Sequence, residues 1–456
     1  MLFLVGCVLA IVADGTAGAG DSPMHYQFAR WAPIHPELFF HYWAKPFFVL
    51  ISSPASQHGM IGIKLFNILL SSLTMLVAWR VALAVGTPNA DLVPLFMAFM
   101  PAYISHSLSG YTEPLFAFIN ITCIWLYVRR HFSLSILLIS FLPFVRSEGL
   151  IICGVFALIL LIERRWYHIP LLAVGHLVYG VVGINYHETV LWVFTKVPYA
   201  RLDSHYGIGT WGHFFKNLPS ITGVPLVILL AVGAGYLLSK TFSKLNNPHG
   251  RIVYILVFGS AASYFTARVF FWALGIFNSM GLMRVLIAVV PTMAIIAVYG
   301  FQWIITLFPN FLFRKTVPAI ILLYLLLFPF TSNTYAWHYK RDFLPNEEQQ
   351  LIQQSSNYIK SNYPSYKEYS YFFDANCVSI ELDIDFFGKK CHRTHELAHT
   401  PHGQSIIVWD DWYSQYEAGT PLQSLLDMQD YKLVKEFYVT EPWGNVRSLV
   451  LFVSKE

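Results

Sequence analysis

RSEGLIICGVFALILLIERR, Arg146 to Arg165, is the stretch whose reading decides the fold. Its middle, near residues 149–163, is an apolar run of the kind that crosses a bilayer, for which about 17 to 25 residues are typical. The opposite charges Arg146 and Glu148 stand at one end, and the arginine pair Arg164 and Arg165 at the other. Similar runs recur near 60–85, 91–109, 112–128, 131–147, 169–186, 221–238, 252–274, 281–301 and 312–330. A shorter run at residues 1–13 lacks a basic flank and reads as the end of a first transmembrane helix, so about eleven spans are expected.

Composition agrees. The 456 residues are 55% hydrophobic and 17% aromatic, and only 12% are charged, whereas soluble proteins carry about 25%. A mean hydropathy of +0.50 places the chain among polytopic membrane proteins with membrane lipids as neighbours. The net charge of +4 is what a positive-inside membrane protein shows; with no basic arm, no nucleic-acid partner is expected. Neither a Walker A loop, nor a dinucleotide glycine fingerprint, nor a serine-centred elbow is present, which argues against a soluble nucleotide donor.

The few charges between spans sort into two sets. Arg80, Arg129, Arg130, Arg164, Arg165, Lys240, Lys244, Arg251, Arg314 and Lys315 fall, by reversal of direction at each span, on the cytoplasmic side. Asp21, His25, Lys45, Glu113, Arg146, Glu148, Arg201, Asp203 and Arg284 fall at the opposite ends. The expected organisation is a membrane domain at 1–330, with a long first outer loop at 14–59, followed by an extracytoplasmic α/β domain at 331–456. In that tail, helical spacing predicts a helix around 346–362 and a second at 421–428, with strands at 369–373, 405–409 and 449–453. Cys7, Cys123 and Cys153 read as small hydrophobes, while Cys377 and Cys391 would be able to pair if the tail faces an oxidising compartment.

An ionisable group inside or at the edge of a span costs about 2.5 to 3.5 kcal/mol or more, so each one is a functional candidate. Asp21 opens the first loop, within Asp21-Ser22-Pro23-Met24-His25-Tyr26. Glu113 opens a helix ahead of Pro114, where a carboxylate also suits the helix dipole and a simple capping role competes. Arg146 and Glu148 share a turn too tight to hide two charges except against each other or a ligand. Lys45, before Pro46, and Arg284 are further cations at the outer edge, with snorkelling toward head groups as their plain alternative. Together they describe a carboxylate that accepts a proton beside cations that hold a phosphate leaving group.

Asp21, Tyr26, Ala29-Arg30, His35-Pro36, Trp43-Ala44-Lys45-Pro46, Thr112-Glu113-Pro114-Leu115-Phe116, Arg146-Ser147-Glu148-Gly149 and Gly281-Leu282-Met283-Arg284 ahead of Pro291 form a set. That set resembles the GT-C superfamily, in the branch of protein O-mannosyltransferases and lipid A aminoarabinose transferases, glycosyltransferase family 39-like. The resemblance implies an α-helical polytopic glycosyltransferase. It would move a monosaccharide, mannose among the candidates, from a polyprenyl-phosphate donor to a lipid, glycan or protein hydroxyl, outside a bacterial inner (plasma) membrane. It also implies catalysis by Asp21 or Glu113, and substrate binding by His25, Tyr26, Lys45, Arg146, Glu148 and Arg284. Asp21 stands alone where many relatives carry paired acids, so the base stays open between it and Glu113. No cofactor is implied with certainty, and divalent-metal dependence stays open.

Two rival readings have residues of their own. Arg268, far from the outer end of its span, fits a transporter or flippase for a lipid-linked or anionic solute. His395-Glu396-Leu397-Ala398-His399 matches the H-E-x-x-H pattern of a membrane zinc metalloprotease, with His392 and His402 nearby. That pattern needs a helix, and Pro401 follows within two residues, so a polar loop is the stronger expectation.

Overall fold

The computed structural model describes residues 2–16, 18, 20–198, 204, 206–244, 247–308, 310–397, 399, 403–441 and 443–455. Arg201, Asp203 and His402 lie outside the described residues. The chain forms two compact units. One comprises Met1–Ala10, Phe39–Ser52 and Lys64–Trp337; the other comprises Ile11–Leu38, Ser53–Ile63 and His338–Glu456.

Helices Gly59–Ala84, Pro248–Ala273, Met283–Thr306 and Leu312–Phe330 are long and apolar enough to cross a membrane, which with the composition makes this an integral membrane protein. A further pair, His213–Thr222 and Val224–Lys240, is bent by 119° at Gly223, whose φ of 75° suits glycine. Shorter apolar helices include Phe3–Val12, Pro46–Ser56, Glu113–Val128, Phe132–Phe144, Gly149–Ile162 and Trp166–Val182. Helix Pro46–Ser56 lies inside the stretch that sequence reads as the first outer loop, 14–59. The 91–109 run, expected as one span, is instead two seven-residue helices, Leu92–Ala98 and Pro101–Ser107. Pro101 opens the second, and Met100 before it is extended at ψ 117°, because the proline ring disfavours helical backbone in the preceding residue.

Helices Val224–Lys244 and Val290–Thr306 approach backbone to backbone. A Cβ on Gly233 would lie 2.0 Å from the Ile296 carbonyl oxygen, and one on Gly300 would lie 2.0 Å from that of Leu229. In lipid, close packing of this kind replaces the hydrophobic drive that holds soluble helices together. Of the basic set, Arg165 and Arg251 each place Nε 3.3 Å from the Glu163 carboxylate, which also accepts from the Tyr127 hydroxyl at 2.8 Å. Three stretches of chain are thereby joined at one acid.

In the second unit, β1 (Ser370–Phe373), β2 (Cys391–His392), β3 (Ser405–Asp410), β4 (Tyr431–Thr440) and β5 (Val446–Ser454) make one sheet in the order β2-β1-β3-β5-β4. β1 pairs with β2 and β3 in parallel, and β5 pairs with β3 and β4 antiparallel. Both faces are covered. Tyr371, Phe373, Ile406 and Val408 pack with Leu351, Ile352 and Ile359 of helix Glu347–Asn362, while Phe372, Ile407 and Trp409 pack with Leu425 and Tyr431. That helix begins with an Asn346–Gln349 capping box. Cys377 and Cys391 are not joined in a disulfide. Burial pushes both thiols up, Cys391 to about 12, so neither is primed as a thiolate.

Glu348 lies in the first turn of helix Glu347–Asn362, and its Oε1 is buried with no hydrogen-bond partner among the described residues. Burial first, and then the Asp410 carboxylate, pushes Glu348 up to about 8; burial pushes Asp410 up to about 6. Both acids hold protons more tightly folded than unfolded, so stability falls as pH rises from the ordinary carboxylate range toward about pH 8. Glu348→Gln should flatten that fall and raise the thermal midpoint at pH 8. A native midpoint that does not change between pH 5 and 8 would contradict the assignment.

Candidate functional site

The turn Arg146-Ser147-Glu148 is closed by Gly149 N–H donating to the Arg146 carbonyl at 2.8 Å, and by Leu150 N–H donating to that of Ser147 at 3.2 Å. Gly149 is required by contact: a Cβ there would lie 2.4 Å from the Leu142 carbonyl carbon. The turn thus presses against the preceding segment, and both charged side chains project from one short arc.

They do not simply pair with each other. Arg146 places Nη1 2.8 Å from Glu113 Oε1 and Nη2 3.1 Å from Glu148 Oε1. Arg268 Nη1 lies 3.1 Å from the same Glu148 oxygen, and Arg284 Nε lies 3.6 Å from Glu113 Oε1. The result is an alternating row, Arg268–Glu148–Arg146–Glu113–Arg284, drawn from four parts of the sequence. Their side chains are 10, 11, 15, 1 and 18% exposed, so the row is largely removed from water. Three guanidiniums face two carboxylates before Lys45 is counted.

Neighbouring groups hold the row in place. Thr112 Oγ1 accepts from Arg146 Nη1 at 3.2 Å, and the Tyr111 ring lies under the Arg284 guanidinium at 4.4 Å. Asn67 Nδ2 donates to the carbonyls of Ser109 and Tyr111 at 2.7 and 2.9 Å, bracing the segment that carries that ring. Tyr264, one turn before Arg268, is fully buried, and its hydroxyl has no hydrogen-bond partner among the described residues.

Lys45 is 7% exposed and has φ 69°, a left-handed conformation uncommon for a side-chain-bearing residue. Its Nζ lies 3.5 Å from Ser147 Oγ and 5.6 Å from the Tyr42 ring centroid.

Five of the sequence candidates, Lys45, Glu113, Arg146, Glu148 and Arg284, therefore lie in one unit, four of them in the row itself with Lys45 near its Arg146–Glu148 turn. Asp21, His25 and Tyr26 form a separate set on helix Asp21–Trp31 of the other unit, where Tyr26 accepts a hydrogen bond from Arg30. Arg268, which sequence set aside as the mark of a transporter, belongs to the same row. Its signal was a lone cation within an apolar run; its partner, 120 residues away, was not legible.

The H-E-x-x-H match does not lie on an α-helix. His395 and Glu396 lie in a three-residue 3-10 helix, Thr394–Glu396, so the His pair is not carried by an α-helix that would align both rings. Glu396 accepts from the Arg393 N–H at 3.2 Å, and among the described residues no group of three or more His, Cys, Asp or Glu is arranged to hold a metal.

Removing one member of a buried ion pair leaves its partner uncompensated and costs about 3 to 5 kcal/mol. Glu148→Gln, which leaves Arg146 and Arg268 without their shared acid, should lose that much in detergent unfolding. A change below about 1 kcal/mol would show the row to be well solvated.

No protein-family model matches the sequence, and no curated protein matches it. Solved structures do. ArnT from Cupriavidus metallidurans bound to undecaprenyl phosphate matches with a TM-score of 0.61 and 13% identity, over 99% of this chain and 97% of that one. The apo state of the same protein matches with a TM-score of 0.55, the same identity and the same coverage. ArnT has the GT-C fold, and at 13% identity the likeness is one of fold. The GT-C fold implied by the sequence motifs, with its small C-terminal sheet domain, is the fold of this molecule.

Proposed function

We propose that the chain is an integral membrane glycosyltransferase. It would move a monosaccharide from a polyprenyl-phosphate donor to an acceptor hydroxyl on the extracytoplasmic face of the membrane. The observation that carries this reading is the buried row of three guanidiniums and two carboxylates with Lys45 beside its turn, on a GT-C fold. The solved ArnT complex holds undecaprenyl phosphate, a carrier of the class proposed here.

In the proposed reaction the acceptor oxygen attacks the anomeric carbon, and the bond from that carbon to the phosphate oxygen breaks with inversion. The electron pair leaves with the polyprenyl phosphate, and the acceptor proton passes to a carboxylate. Lys45, Arg146 and Arg284 would stabilise charge on the leaving phosphate, with Arg268 supporting them through Glu148. Both carboxylates of the row are engaged by guanidiniums, which suits Glu113 and Glu148 to ordering those cations. By the motif resemblance, Asp21, which opens helix Asp21–Trp31, is the first-choice general base and Glu113 the second, with His25 and Tyr26 proposed to bind substrate. Mannose and aminoarabinose are the first sugars to test.

Purified protein in nanodiscs, supplied with polyprenyl-phosphate sugars and candidate acceptors, should release polyprenyl phosphate. Lys45→Gly keeps a backbone that accepts the left-handed turn while removing the ammonium, and should lower turnover about 10²- to 10³-fold, the usual loss for one charge-stabilising group. Asp21→Asn should lower kcat about 10²- to 10⁴-fold while leaving binding of the bare carrier intact. Movement of the lipid-linked sugar across the bilayer without transfer would overturn the reading in favour of a transporter.

A further inference from the structure

The segment that carries Asp21 is tied to the C-terminal sheet domain within one compact unit. Arg30 Nη2 lies 2.5 Å from Asp383 Oδ1, and the other Asp383 oxygen takes Lys367 Nζ at 3.1 Å. Gln27 Nε2 donates to Ser379 Oγ at 2.5 Å, and Trp31 Nε1 donates to Gln27 Oε1 at 2.9 Å. His35 Nε2 lies 2.7 Å from Asp385 Oδ2, and the Phe28 and Phe387 rings pack with centroids 4.8 Å apart. Upstream, Gly15 N–H donates to the Phe343 carbonyl at 3.1 Å, and Gln349 donates to Thr16. Each tie joins groups more than 300 residues apart in sequence.

The ties hold the helix on more than one face, since Phe28, seven residues after Asp21, shares its face within about 20°. At about 100° per residue, Asp21 and His25 share one face of the helix, and Arg30 lies roughly half a turn from Asp21. The ion pair thus grips the side of the helix away from the proposed base. Charge-assisted hydrogen bonds fix rotation as well as distance. Asp383 itself caps helix Cys377–Leu382 in a left-handed conformation at φ 52°, which sets the angle from which its carboxylate meets Arg30.

We propose that the C-terminal domain is a positioning clamp: Asp383 and Asp385, through Arg30 and His35, set the rotation of helix Asp21–Trp31 and so aim Asp21. This rests on Asp21 being the base. Arg30 and Asp383 are positioning residues and touch no substrate. Their side chains are 25 and 54% exposed, and an ion pair that exposed contributes little to stability, so its loss should misdirect the helix without unfolding the chain.

The test uses the full-length protein with Arg30→Gln, Asp383→Asn and the exchanged pair Arg30→Asp with Asp383→Arg. A small misplacement of a reacting group costs up to about 10²-fold, so each single variant should lose roughly 10- to 100-fold in kcat. KM for the donor and binding of undecaprenyl phosphate alone should stay within about twofold. The exchanged pair should recover most of the loss. In Asp383→Asn, amide hydrogen exchange should accelerate across Asp21–Trp31 while strands β1, β3 and β5 keep their protection.

Unchanged kcat in the single variants of an active protein would overturn the clamp. So would an exchanged pair no better than either single variant, or unchanged exchange across Asp21–Trp31. A native protein with no transfer activity would instead overturn the proposed function, and the exchange measurement would still decide whether the clamp exists.

Discussion

Everything in the membrane unit turns on two glutamates that keep three arginines charged and aligned away from water. An isolated guanidinium in that setting is costly, and three converging from separate segments would repel one another. Glu148 between Arg146 and Arg268, and Glu113 between Arg146 and Arg284, turn that repulsion into a row with one arginine shared at its centre. The row dictates local structure around it: a turn tight enough to need Gly149 at a point of backbone contact, and a helix that opens on Glu113.

The two units are ordered by different interactions. The membrane unit holds the row of guanidiniums and carboxylates, whereas helix Asp21–Trp31 is ordered by polar contacts with a sheet domain encoded at the far end of the sequence. Stability of the second unit also carries the buried Glu348–Asp410 pair, a local cost that depends on pH.

Much of this was legible because charge is rare in the chain. Glu113, Arg146, Glu148 and Arg284 stand out against apolar surroundings, and the same contrast marks Arg268, whose pairing with Glu148 is not legible in the sequence. Periodicity found helix Glu347–Asn362 and strands β1, β3 and β5, whose side chains are buried on at least one face. It missed β4, an edge strand whose Lys432, Lys435 and Glu436 mask its alternation and whose exposed positions tolerate charge. The 91–109 run failed on Pro101, where hydropathy saw continuity and backbone sterics impose a break. The H-E-x-x-H match failed because spacing alone does not make a helix. The ties from Arg30 and His35 to Asp383 and Asp385 leave no local pattern, since every one spans most of the chain.

Under the proposed function the arginine row holds a lipid phosphate. Solid-state NMR on protein labelled with ¹⁵N-arginine, in bilayers with undecaprenyl phosphate, would measure phosphorus–nitrogen dipolar coupling directly. Coupling from the lipid phosphorus to guanidinium nitrogens is expected, and should weaken when Arg146 or Arg284 is replaced by lysine. Phosphorus that couples to no arginine, in protein whose row remains intact, would contradict it.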